Sequence, residues 1–181
     1  MKSLNFNRNT AKGFSLIELL LVLGVLAILL VAAFVVYPQV RDRNQANAEV
    51  SNLTTIKANI NNLYASRGGN YQGLTNATAI NARAYPANMV DEASNTSLAS
   101  WGGTVTTIQD PANVRQFTVT YSGVPAGVCL GLISGAAGNF QNIAVSGYGE
   151  PLFDNNGQFN PGNAAAACNS APTTDITFTS N

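Results

Sequence analysis

Apolar side chains fill residues 14–37 almost without interruption, and beyond residue 49 they return at helical spacing. The first run holds one charge, Glu18, and none follows from Leu19 to Tyr37. At ~1.5 Å per residue a helix over this run is roughly 30 Å long or slightly more, the thickness of a bilayer's hydrocarbon core. A carboxylate near the N-terminal end of such a helix is costly in lipid and marks a functional site with a partner. Pro38 follows and can kink a helix, because it removes one backbone donor and crowds the preceding turn. Val50, Leu53, Ile56, Ile60 and Leu63 are then spaced by three, three, four and three residues. That is an amphipathic stripe, with Ser51, Asn52, Lys57 and Asn59 turned away from it. The pattern predicts one helix over residues 14–65, apolar all round in its first half and one-sided in its second. Gly68-Gly69 is its natural stop, since glycine accepts the left-handed conformation that ends helices.

Shorter patterns follow. Residues 66–103 read as an irregular connection containing a short helix over residues 76–83, with Asn76 as N-cap and Pro86 beyond its end. Strand candidates are residues 104–108, 117–121, 140–146 and 176–178. The clearest is Phe117-Thr118-Val119-Thr120-Tyr121, which alternates apolar and polar residues as a half-buried strand does. Residues 125–135 read as a short helix and residues 164–168 as a helical turn. The globular part is therefore expected to be a mainly antiparallel sheet laid on the second half of the long helix, an α+β architecture.

Charge decides how the apolar run is handled. Residues 1–13 carry Lys2, Arg8 and Lys12 and no acid. A basic flank stays cytoplasmic, which sends the chain after Tyr37 outward. A conventional signal peptide has a shorter apolar region followed by a small-residue cleavage site. Here the small residue, Gly13, comes before the run, so a cut after it removes the basic leader and keeps the helix. Nine basic residues less those three leave six against nine acids, about −3 for the remainder. The six are dispersed, which gives no nucleic-acid-binding surface. Cys129 and Cys168 both lie beyond the membrane run. In an exported domain a disulfide between them is the simplest reading, and two buried free thiols the alternative.

Lys12-Gly13-Phe14-Ser15-Leu16-Ile17-Glu18 followed by the apolar run resembles the prepilin signature of type IV pilins, pseudopilins and pilin-like competence proteins. The resemblance implies that prepilin peptidase cuts between Gly13 and Phe14 and N-methylates Phe14. It also implies that Glu18 neutralises the amine of a neighbouring subunit and sets register during assembly. A lone carboxylate in an apolar setting needs an opposite charge, and the freed amine supplies one. Asn70-Tyr71-Gln72-Gly73-Leu74-Thr75, Trp101-Gly102-Gly103 and residues 117–121 with Cys129 are similar to type IVb pilins, which include bundle-forming pilins and the thin pili of conjugative plasmids. In that group the two cysteines close a variable surface segment, here residues 129–168. The short leader and Phe14 are more like type IVa, where the position of Val35 usually holds a proline. The resemblance implies four parts: a leader (1–13), a transmembrane and filament-core helix (14–37) protruding from the head, the amphipathic half of that helix (38–66), and a head (67–181). It further implies a homopolymer served by an assembly ATPase, an inner-membrane platform and a secretin, first in the inner membrane and then outside the cell.

The residues offer little for catalysis. There is no histidine, so the commonest general base and metal ligand is missing. Two cysteines alone do not complete a zinc shell, and no cofactor is implied. Asp154-Asn155-Asn156-Gly157 lacks the spacing of an EF-hand and reads as a turn. Asp91-Glu92 reads as solvated loop charge. The glycine-rich residues 123–138 lack the Lys and Ser/Thr of a phosphate loop. Trp101, Phe117 and Tyr121 read as core or interface aromatics. A self-assembling pilus subunit for adhesion, aggregation, motility or mating contact is the leading expectation. A minor pilin or pseudopilin, and a single-span anchored binding domain that never polymerises, are the alternatives.

Overall fold

A computed structural model describes residues 14–91 and 93–181. Helix α1 (Leu16–Tyr64) includes Pro38 and is followed by a 3-10 turn, Ala65–Arg67. Gly68 closes it with φ of 63°, a left-handed cap whose amide reaches the Ala65 carbonyl. The chain forms two compact units, one ending at Pro38 and the other spanning Gln39–Asn181.

In the first unit the apolar side chains from Leu16 to Phe34 are exposed, because nothing in that unit packs against them. It holds a helix long and apolar enough to cross a membrane.

In the second unit, helices α2 (Asn76–Asn81), α3 (Ala126–Ala136) and α4 (Pro161–Cys168) accompany two sheets. Strands β1 (Val90–Asp91) and β2 (Thr96–Ser97) pair as a small ribbon. Strands β3 (Val105–Asp110), β4 (Asn113–Pro125), β5 (Asn142–Val145) and β6 (Thr173–Ser180) form the main sheet in the order β3-β4-β6-β5, every pair antiparallel. The alternation expected for residues 117–121 is present within β4. Phe117, Val119 and Tyr121 are buried, while Thr118 and Thr120 look outward.

The amphipathic stripe is displaced from its expected ends. Leu53, Ile56 and Ile60 are fully buried, but Leu63 is 42% exposed and Tyr64 takes its place. The buried face runs Ala46, Glu49, Leu53, Ile56, Ile60, Tyr64, eighteen residues in five steps. That matches the helical pitch of ~3.6, whereas Val50 to Leu63 covers thirteen in four and drifts off the face. The apolar members of this face join one core with Phe117, Val119, Ile176 and Phe178 of the sheet and Leu132 of α3. Two smaller corrections concern residues 66–103. The N-cap of α2 is Thr75, whose hydroxyl accepts from the Thr78 amide at 3.2 Å, because the Asn76 side chain is engaged elsewhere. The connection also contains the β1–β2 ribbon, whose two-residue strands leave too little alternation to read.

Candidate functional site

Phe14 is 86% exposed, and two residues on, α1 begins. Glu18 lies in the first turn of α1, where unsatisfied backbone N–H groups and the helix dipole favour a negative charge. Its side chain is exposed, and no ion pair joins it to another described residue. Gly13, with the rest of the leader, lies outside the described residues.

Cys129 of α3 and Cys168 at the end of α4 form a disulfide, with Cα atoms 5.6 Å apart and both residues buried. The segment they close carries α3, β5 and α4. Its first helix is held on α1 by glycines four apart. A Cβ on Gly127 would lie 2.2 Å from an Asp42 carboxylate oxygen, one on Gly131 2.8 Å from the Ala46 Cβ, and one on Gly135 2.7 Å from a Val50 methyl. Asp42, Ala46 and Val50 are themselves four apart, so one turn of α3 meets one turn of α1 three times over. The glycine-rich stretch therefore serves close helix packing. Beyond it, the Lys57 ammonium donates to the Asn139 carbonyl and sits 5.2 Å from the Phe140 ring centroid. Burial of its stem lowers the Lys57 pKa.

The tryptophan–glycine motif is fixed from two sides. Glu49 of α1 is fully buried and accepts from the Ser100 amide at 2.8 Å and the Asn52 carboxamide at 3.2 Å. Trp101 donates to the Ser122 carbonyl at 3.0 Å, and a Cβ on Gly103 would fall 2.0 Å from that same oxygen. Only glycine lets the loop approach β4 so closely. The Tyr121 ring packs 5.8 Å from Trp101, yet its buried hydroxyl has no hydrogen-bond partner of acceptable geometry. Desolvation, then the nearby charge of Glu49, pushes the Tyr121 pKa well above the ordinary tyrosine value. The stripe read from the sequence starts at Val50 and leaves Glu49 out. The signal that could have found it is its place at helical spacing between Ala46 and Leu53.

The other candidates resolve into structure. One Asp154 oxygen accepts from the Asn156 and Gln158 amides at 2.9 and 2.8 Å, closing a turn between the paired residues Phe153 and Phe159. Asp91 accepts from the Ser94 hydroxyl and the Ala93 amide, contacts that lower its pKa, while Glu92 lies outside the described residues. Phe117 and Tyr121 belong to the core, and Trp101 packs against it. A groove of about 480 Å³ runs past Arg83, Tyr85, Val90 and Asn95, and its described lining residues include neither an acid nor a nucleophile pair. Tyr85 donates there to Asn76 at 2.5 Å, which also receives the Thr107 amide at 3.1 Å. Among the described residues no group of His, Cys, Asp and Glu could hold a metal ion.

A long helix bearing an early acid, set beside a disulfide-closed segment and an antiparallel sheet, has counterparts among known proteins. Residues 43–181 match the family described as PilS N terminal, and residues 8–34 match the prokaryotic N-terminal methylation motif. The chain belongs to the PilS family. Its type IV pilin fold agrees with two solved structures. A type IV b pilin from Salmonella typhi shares it at a TM-score of 0.57 and 22% identity, over 75% of this chain and 99% of that one. TcpA, a type IV pilin from Vibrio cholerae El Tor biotype, shares it at 0.53 and 14%, over 78% and 99%. This PilS-family chain is also 27% identical to the major structural subunit of bundle-forming pilus from Escherichia coli O111:H- and from O127:H6, over 91% of its length and 83% of theirs.

Proposed function

We propose that this chain is the repeating subunit of an extracellular type IV pilus, made as a membrane-inserted precursor and polymerised after processing. The observation that carries this reading is the exposed apolar helix with a single acid in its first turn. Its side chains find no burial within their own unit, so lipid covers them first and the helices of other copies afterwards. Prepilin peptidase cuts between Gly13 and Phe14 and methylates the Phe14 amine. Residues 14–37 anchor the precursor in the inner membrane and then form the filament core. Residues 38–66 tie that segment to the head, residues 67–181, which the filament displays. Glu18 accepts the charge of the Phe14 amine of a neighbouring copy, which is satisfied only at the correct stagger. Extraction from lipid exchanges one apolar surrounding for another, so it needs work from outside. An assembly ATPase acting through an inner-membrane platform supplies that work, and a secretin passes the filament outward. The role is structural rather than enzymatic.

The test is the N-terminal mass and sequence of the protein sheared from the cell surface. A start at N-methylated Phe14 in high yield is expected. An intact Met1, or a sheared fraction without the protein, overturns the reading in favour of an anchored domain.

A further inference from the structure

Among the described residues, the non-glycine positions with positive φ are Arg83 at 54° and Asn95 at 51°, and both line the groove of about 480 Å³ beside α2. Arg83 follows the C-cap of α2, Ala82. Its amide reaches the Ile80 carbonyl, and the Ala84 amide reaches the Ala79 carbonyl, both at 2.9 Å. This paired closure favours glycine at the position of Arg83, because a Cβ in the left-handed region crowds the following carbonyl. A cation near a helix C-terminus gains from the helix dipole, but the last turn itself offers that gain without the strain. Folding therefore gives no reason for an arginine here, and strain of this kind is kept where a site uses it. Ile80, Ala87 and Val90 give the groove apolar walls. Tyr85 is buried beneath them, its hydroxyl 2.5 Å from the Asn76 carboxamide oxygen and 2.8 Å from the Thr107 hydroxyl. Asn81 and Asn95 are exposed and bring a carboxamide each. Asp91, next to Val90 in β1, is not among the described lining residues, and its carboxylate is taken up by the Ser94 hydroxyl and the Ala93 amide.

We propose that this groove binds an acidic sugar, a pyranose ring bearing a carboxylate, and so gives the head a carbohydrate-binding activity. The Arg83 guanidinium takes the carboxylate through two parallel N–H···O bonds. The Asn81 and Asn95 carboxamides both donate and accept, as ring hydroxyls require. The C–H face of the ring lies on Ile80, Val90 and the Tyr85 ring, whose hydroxyl is already engaged inward. The volume falls within the ~300–1,000 Å³ of clefts that hold small ligands. Other ligand classes fit less well. A peptide would need an edge to extend, and β1 and β2 are two residues long. A phosphate group carries more charge than one guanidinium matches, and no second cation stands among the described lining residues. A neutral sugar makes no use of Arg83. The groove lies within the second unit of one copy, so the site is complete without polymerisation.

The experiment titrates the full-length chain, held in a sugar-free polyoxyethylene detergent, by isothermal calorimetry. The probes are galacturonate, N-acetylneuraminate, galactose, acetate and inorganic phosphate. At least one acidic sugar is expected to bind, more weakly as salt rises, while galactose and acetate do not. Preference for galacturonate makes the source a uronic-acid polysaccharide, and preference for N-acetylneuraminate makes it a glycan end group. Arg83→Gly is expected to weaken binding about tenfold or more and yet to raise the urea midpoint, because glycine relieves the left-handed strain. Arg83→Lys keeps the charge but loses the fork, and its affinity is expected to fall between the two. Asn95→Gly keeps its backbone conformation, loses the carboxamide and serves as a second variant expected to weaken binding without loss of stability. Binding of neither acidic sugar, or unchanged affinity in either glycine variant, would overturn the proposal. Equal binding of galactose or acetate overturns it too, since charge or ring alone is then being read. Tighter binding of phosphate makes the ligand a phosphoryl group and overturns the sugar assignment. A lower midpoint in Arg83→Gly overturns it as well, because the arginine then serves folding.

Discussion

Glu18 and Tyr121 are two polar groups whose environments ask opposite things of them. Glu18 is exposed in an apolar segment, and in the proposed filament its carboxylate meets the Phe14 amine of a second copy. Glu18→Ala is expected to leave precursor folding and membrane insertion intact and to abolish or sharply reduce surface filaments. Immunoblotting of membranes and of the sheared fraction checks this, and normal piliation would sink the register role. Tyr121 is buried beside Glu49, and its hydroxyl has no partner of good hydrogen-bond geometry among the described residues, which is costly to keep. Tyr121→Phe removes that cost but also removes a hydroxyl facing the buried Glu49 carboxylate, so the net change in head stability at neutral pH is expected to stay within about 1 kcal/mol. The pH dependence follows from the raised folded pKa. The folded state holds the phenolic proton more tightly than the unfolded chain, so this stability is full below ~10 and is lost as pH rises further. Wild-type protein should therefore lose stability above that pH more steeply than Tyr121→Phe. Thermal melts between neutral and strongly alkaline pH distinguish them, and parallel curves would refute the assignment.

At the scale of elements, α1 and α3 meet through glycines whose neighbours differ in how far they can yield. Ala46 presents its Cβ, which is fixed to the backbone, to Gly131, whereas Asp42 presents the end of a flexible side chain to Gly127. Gly131→Ala is expected to cost about 1–3 kcal/mol through overpacking, offset in part by the better helix propensity of alanine. Gly127→Ala leaves Asp42 free to rotate, so the propensity gain dominates and the change is neutral or stabilising by up to about 1 kcal/mol. Urea unfolding of the two full-length variants in detergent tests the difference, and equal effects would show that the seam is not tight where the structure places it. The three glycine spacings are visible in the chain, but their partners on α1 are not. Helical period alone cannot say which of two distant helices will touch.

The whole molecule joins a helix long and apolar enough to cross a membrane to a head of low charge, and the disulfide belongs to this scale because it links cysteines 39 positions apart. In the chain-entropy picture such a closure contributes roughly 4 kcal/mol by restricting the unfolded chain. Reduction, or Cys168→Ser, is expected to lower the unfolding midpoint accordingly while leaving processing at Phe14 unchanged. An unchanged midpoint with and without reductant would remove the disulfide from the account of stability.

Much of this was legible in the chain because it depends on neighbours in sequence. The apolar run, its single acid and the basic leader are one-dimensional features, and lipid reads them without a fold. Helix period and strand alternation located α1, α3 and the clearest part of β4, since each needs only a few residues of pattern. Tertiary structure decided the rest. Glu49 is buried because a loop fifty residues later brings the Ser100 amide to it. Thr106, Thr120 and Thr177 form one surface only because strands far apart in the chain pair in that register. Contacts between distant segments are selected by the packing of the complete core, and no local pattern contains them.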